Sequence, residues 1–87
     1  MKARSMKVTF KLYASLSSHL PDNSSDNRVE IEVPDGTSPT QILEQHGVPI
    51  AQVHLVLVNG VFVPPGARDG ALLAGDELAV WPAVAGG

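Results

Sequence analysis

Apolar and polar residues alternate along most of this chain, break once into helical spacing, and then alternate again. In "MKVTFKLY", Val8, Phe10 and Leu12 share one parity and Lys7, Thr9 and Lys11 the other, the pattern of a strand with one buried face. "RVEIEV" repeats it, with Val29, Ile31 and Val33 inward and Arg28, Glu30 and Glu32 outward. If these strands pair, the outer lysines of the first meet the outer glutamates of the second, at about 0.2–1 kcal/mol per pair. Between them, Leu16 and Leu20 are spaced to dock a short helical turn, and the polar stretch from Pro21 to Asn27 reads as a loop.

"DGTSPTQILEQHG" carries the one clear helix. Ser38 suits the N-cap, Pro39 the first helical position, and Gln41 the third, which completes a capping box. Ile42, Leu43 and His46 line one face, and Gly47 is a natural stop. So short a helix needs a sheet to pack on. "HLVLVNGVFV" predicts a hairpin, because Asn59-Gly60 favours a two-residue type I′ turn. Its first arm is apolar on both faces, as expected of a strand covered twice or facing a partner. "PPGARDGALLAGD" reads as a loop with Leu72 and Leu73 dipping inward. "ELAVWPAV" is the last strand, with Leu78 and Val80 on one face and Ala79 and Trp81 on the other. Strand, strand, helix, strand, strand, strand is an α+β order. A mixed sheet of four to five strands with one main helix on one face is the β-grasp arrangement.

The 87 residues make one small domain, 1–87, in which residues 1–5 form a loose extension and residues 83–87 a flexible tail. With 44% hydrophobic and 17% charged residues, the chain can build a core. Aromatic residues are few, so that core is mostly Val, Leu and Ile. The net charge of −3 argues against nucleic acid as a partner. There is no membrane-length apolar run, and the basic start is followed by no signal-peptide core, so a cytoplasmic protein is expected. The absence of cysteine excludes disulfides, zinc–thiolate sites and thiol nucleophiles.

Few residues then remain for chemistry. His19, His46 and His54 lack metal-ligand spacing and a neighbouring nucleophile. Asp76 and Glu77 are adjacent, so in a strand they point to opposite faces and form no acid–base pair. Trp81 should lie opposite the helix, near Ala79 and either Leu55 and Leu57 or Val56 and Val58. It either lies flat on its own sheet or marks an apolar patch for a protein partner. The last two residues are Gly86 and Gly87. With eight glycines in the chain, such a pair is roughly a one-in-a-hundred coincidence. A tail without Cβ atoms can thread a narrow channel and present its carboxylate in another protein's active site. Ordering it costs roughly 1–2 kcal/mol per residue.

Taken with the β-grasp order, "GDELAVWPAVAGG" resembles the ubiquitin-like sulfur carriers, the family of the molybdopterin synthase small subunit and the thiamine-pathway sulfur carrier. The resemblance runs from "MKVTFKLYASL" to the last glycine. It is most specific in Leu72-x-x-Gly75-Asp76-Glu77-Leu78-Ala79, followed by Trp81, Pro82 and Gly86-Gly87. "VNG" also fits. The family's "P-P-V-S/T-G-G" ending is altered at Ala83 and Ala85, and Ser17 replaces a basic residue often found after "A-x-L". The resemblance implies that an adenylating enzyme, similar to the ubiquitin-activating enzymes, uses ATP and magnesium to activate the carboxylate of Gly87. A sulfur donor then converts it to a thiocarboxylate. Gly86, Ala85 and Val84 would form the slim tail, and Trp81, Pro82 and Ala79 the partner interface. The carrier itself would bind no cofactor or metal and hold no catalytic groups. "KLYASL" and Trp81-Pro82 look most like the molybdopterin branch, where two small subunits flank a large-subunit dimer. Sulfur delivery to thiamine or tRNA is the alternative within the family. A ubiquitin-like binding module with idle glycines is the alternative outside it.

Overall fold

The computed structural model describes residues 4–83. Five strands form one sheet: β1 (Ser5–Leu12), β2 (Arg28–Pro34), β3 (Val53–Val58), β4 (Val61–Phe62) and β5 (Glu77–Pro82), in the spatial order β2-β1-β5-β3-β4. The central β1–β5 pair is parallel, and the other three pairs are antiparallel. One helix, α1 (Pro39–Gln45), crosses between the two hairpin-like halves. This is the predicted mixed sheet, with five strands. A 3₁₀ turn, Ala14–His19, lies where Leu16 was expected to dock.

The inward parity of each strand builds the core. Val8, Phe10 and Leu12 of β1, Val29 and Val33 of β2, Val56 of β3, and Leu78 and Val80 of β5 are all buried. Ile42 and Leu43 of α1 close the layer from above, with Leu16, Val48 and Leu72 at its margins. Ile31 and Leu20 pack against the edge, only partly covered.

The ends of α1 follow the sequence closely. Ser38 Oγ accepts from the Gln41 amide at 3.2 Å, and Gln41 Oε1 accepts from the Ser38 amide at 2.9 Å. The two bonds satisfy otherwise orphaned donors at the helix start. At the other end Gly47 takes φ +72°, and the Val48 amide donates to Leu43 O at 2.9 Å. His46 is anchored by Nδ1 on Ile42 O at 2.9 Å and tilts against Phe10, with ring centroids 4.9 Å apart.

The structure corrects three expectations. Ser5 belongs to β1 rather than to a loose extension: it pairs with Pro34, and Arg4 O accepts from the Asp35 amide at 3.0 Å. Lys7 does stand opposite Glu32, but Lys11 faces Arg28 across β2. Its ammonium turns the other way and pairs with Glu77 of β5 at 2.9 Å. The parallel β1–β5 contact supplies that partner, and a hairpin-only view of the sheet leaves it out. Leu73 is 71% exposed while Leu72 is buried. Their backbone amides are held by different partners. The Leu72 amide donates to Thr37 O at 2.8 Å, and the Leu73 amide donates to Asp76 Oδ2 at 2.9 Å.

Candidate functional site at the end of the last strand

The candidate site is built where β5 leaves the sheet. Because β5 lies between β1 and β3, its end is fixed from both sides. The Tyr13 amide donates to Val80 O at 3.2 Å, and Val53 is the partner of Pro82. The strand register settles which residues of β3 share the outer face with Trp81. Leu55 stands opposite Trp81 and Leu57 opposite Ala79, whereas Val56 and Val58 pair with the core residues Val80 and Leu78. Phe62, 53% exposed, continues this apolar outer strip from Leu57.

Trp81 lies parallel to the ring of Tyr13, with centroids 4.5 Å apart and planes 5° from parallel. Such a stack contributes about 0.5–1.5 kcal/mol beyond burial. The next residue, Ala14, adopts φ +53° as the chain enters the 3₁₀ turn. A left-handed alanine costs roughly 1–2 kcal/mol. The outer half of the sheet is therefore divided. Lys7, Lys11, Glu30 and Glu32 occupy the β1–β2 side, and Tyr13, Trp81, Leu55, Leu57 and Phe62 the β5–β3–β4 side.

Beside Trp81 lies a half-open groove of about 460 Å³, walled by Ala14, His54, Leu55, Trp81, Pro82 and Ala83. A second depression, of about 410 Å³, shares Pro82 and Ala83 and adds Ala51 and Gln52. The outgoing chain thus runs between two concavities. Trp81 therefore both covers its own sheet, stacked on Tyr13, and walls an apolar groove. Pro82 is half-buried at the same place. Ala79 is only 7% exposed, beneath its neighbours on the outer face, so it offers little surface to a partner. Val84, Ala85, Gly86 and Gly87 lie outside the described residues.

The titratable residues take structural positions. His46 is held by the helix backbone and Phe10. His54 stands on the groove rim, and its carbonyl accepts from the Arg68 guanidinium at 3.1 Å. Asp76 accepts from Leu73 and from Asn59 Nδ2, and Glu77 pairs with Lys11. His19 ends the 3₁₀ turn. Among the described residues, no three His, Asp or Glu side chains gather to hold a metal ion. No helix among them is long and apolar enough to cross a membrane. The Tyr13 stack was not legible in the sequence. Tyr13 shares the outer parity of β1, but its contact with Trp81 depends on the parallel pairing of two distant strands.

Comparison with known families decides the broader assignment. The profile described as Mut7-C ubiquitin matches residues 5–86. The chain belongs to the Mut7-C ubiquitin family. No curated protein matches the sequence. Among solved structures, the Haloferax volcanii HVO 2177 protein superposes with a TM-score of 0.73 at 22% identity, over 95% of this chain and 88% of that one. SAMP1 of the same organism gives 0.64 at 23% identity, over 93% and 99%. A putative molybdopterin converting factor subunit 1 from Pyrococcus furiosus gives 0.62 at 24% identity, over 91% and 99%. These likenesses establish the ubiquitin-like β-grasp fold, shared by a small archaeal modifier and a putative molybdopterin factor subunit. They bear out the β-grasp fold that the resemblance implied. The Mut7-C ubiquitin assignment spans β1 through the Trp81-Pro82 exit, so the candidate site lies within the matched region.

Proposed function

We propose that this Mut7-C ubiquitin family member is a sulfur carrier whose reactive group is the carboxylate of Gly87. The observation that supports this best is the geometry of the β5 exit. The strand is pinned on both sides up to Val80 and by β3 as far as Pro82, and it emerges beside an apolar groove; the sequence that follows is slim and ends in Gly86-Gly87. A carboxylate is a poor electrophile. An adenylating enzyme with ATP and magnesium would convert it to an acyl-adenylate, with pyrophosphate released. A sulfur donor would then displace AMP and leave the thiocarboxylate. The likeness to the putative molybdopterin converting factor subunit favours delivery of that sulfur to molybdopterin synthesis, with this chain as the small subunit beside a larger catalytic partner. Acid, base and metal would come from the partners.

Intact-mass measurement after incubation with an adenylating enzyme, ATP, magnesium and a sulfur source tests the reading. The expected result is the gain of one oxygen-to-sulfur exchange. An unchanged mass under conditions that load a known carrier would refute it. A second reading, favoured by the SAMP1 likeness, is a ubiquitin-like modifier in which the same activated carboxylate is joined to protein amines. It predicts adducts on lysines in place of a discharged sulfur.

Trp81 should separate docking from activation. Aromatic anchors in desolvated pockets carry interface energy of about 2 kcal/mol or more, so Trp81→Ala should weaken binding to the sulfur-accepting partner at least about tenfold. Acyl-adenylate formation should be kept. Titration calorimetry with the partner and pyrophosphate release with the activating enzyme give the two readouts. Unchanged partner affinity would remove Trp81 from the interface.

A further inference from the structure

The Asn59-Gly60 turn carries a chemistry that the carrier reading does not use. An asparagine followed by glycine is the most exposed of sequences to cyclisation, because no side chain shields the following amide nitrogen. That nitrogen attacks the side-chain carboxamide carbon. Ammonia leaves and a five-membered succinimide forms. Water then opens the ring to an aspartyl or an isoaspartyl linkage. The balance is one water in and one ammonia out, with no oxidant or cofactor.

Asn59 is exposed at the hairpin tip, yet its carboxamide is tied down. Nδ2 donates to Asp76 Oδ1 at 2.9 Å, and Oδ1 accepts from the Glu77 amide at 2.9 Å. The Asn59 amide itself donates to Glu77 O at 2.9 Å. Three bonds therefore hold this residue on the start of β5, with the carboxamide turned toward residues 76–77, while Gly60 leads away into β4. The backbone is held as well, with φ +53° at Asn59 and +82° at Gly60. Asp76 is further fixed by the Leu73 amide, so the clamp is anchored at both ends.

We propose that Asn59 is a latent deamidation site that the folded hairpin holds closed, so that conversion marks chains that have opened. The product is not neutral for the fold. A carboxylate at position 59 replaces the donor facing Asp76 and sets two negative groups at hydrogen-bond distance. An isoaspartyl linkage also adds a backbone atom to a two-residue turn and disturbs the Leu57–Phe62 and Val58–Val61 register. Opening then becomes harder to reverse, at the start of the strand whose other end carries Trp81.

The test compares the full chain, folded and in urea, at mildly alkaline pH, with peptide mass spectrometry locating a gain of about 1 Da at Asn59. Conversion should run at least about tenfold faster in the unfolded chain, and Asp76→Ala should speed it in the folded chain by about tenfold through loss of the charge-assisted bond. Asn59→Asp, which mimics the product, should lower the urea midpoint. Equal rates in folded and unfolded wild-type chain would overturn the clamp. Lack of conversion in urea would overturn the site. Circular dichroism shows whether the Asp76 variant is folded, and the wild-type comparison decides the matter if it is not.

Discussion

Deletion of Gly87 should abolish sulfur loading while leaving the melting curve unchanged. The expected loss in thiocarboxylate formation is at least about a hundredfold. Removing one extended residue withdraws the carboxylate by roughly 3.3–3.6 Å, and a misplacement of only about 1 Å can cost about a hundredfold in a reaction that depends on alignment. Addition of a residue after Gly87 should be equally damaging, because the new carboxylate overshoots and bears a side chain if the residue is not glycine. The fold should be indifferent. Among the described residues the core runs from Met6 to Val80. Intact mass after loading reads the first effect, and thermal circular dichroism the second. Sulfur transfer that survives the deletion would place the reactive group elsewhere. A lowered melting temperature would mean that the last residue contributes to the fold.

Much of the fold was legible in the sequence because short-range physics governs it. Strict alternation in "MKVTFKLY" and "RVEIEV" sets which residues face inward whatever the partner strand is, and those residues are buried as read except Ile31, which is only partly covered. The capping box at Ser38 and Gln41 and the positive φ at Asn59 and Gly60 are local, so a few adjacent residues suffice to predict them. The misses at Lys11 and Tyr13 share a non-local origin. Lys11 finds Glu77, and Tyr13 finds Trp81, only because β1 and β5 lie side by side in parallel, joined by more than sixty intervening residues. Ala79 illustrates the converse. Its outward parity was correct, yet a small side chain on an outer face is easily covered by larger neighbours. Parity gives direction and does not give exposure.

The same parallel pair makes Phe10 the most costly single side chain to remove. Phe10 is fully buried at the middle of β1, stands opposite Val29 on β2 and Leu78 on β5, and receives His46 from α1. Its ring thus joins the two edges of the central strand to the helix layer. Phe10→Ala should destabilise the chain by about 3–5 kcal/mol, the usual range for a buried aromatic truncated to a methyl group. A domain of this size has roughly 5–13 kcal/mol in total, so the variant should lose about a quarter of its stability or more. Urea unfolding followed by Trp81 fluorescence measures this directly, because that residue is the chain's one tryptophan. Phe10→Leu is the control: it keeps much of the volume and should cost far less. A small loss for both variants would show that the layer between α1 and the central strands repacks freely. A large loss for Ala with a small one for Leu would assign the effect to the cavity. The result also bears on loading, since β5 is positioned through its pairing with β1. At temperatures where Phe10→Ala remains folded, sulfur loading at the tail should persist. Its disappearance below the melting transition would mean that the activating enzyme reads the geometry of the central pair as well as the tail.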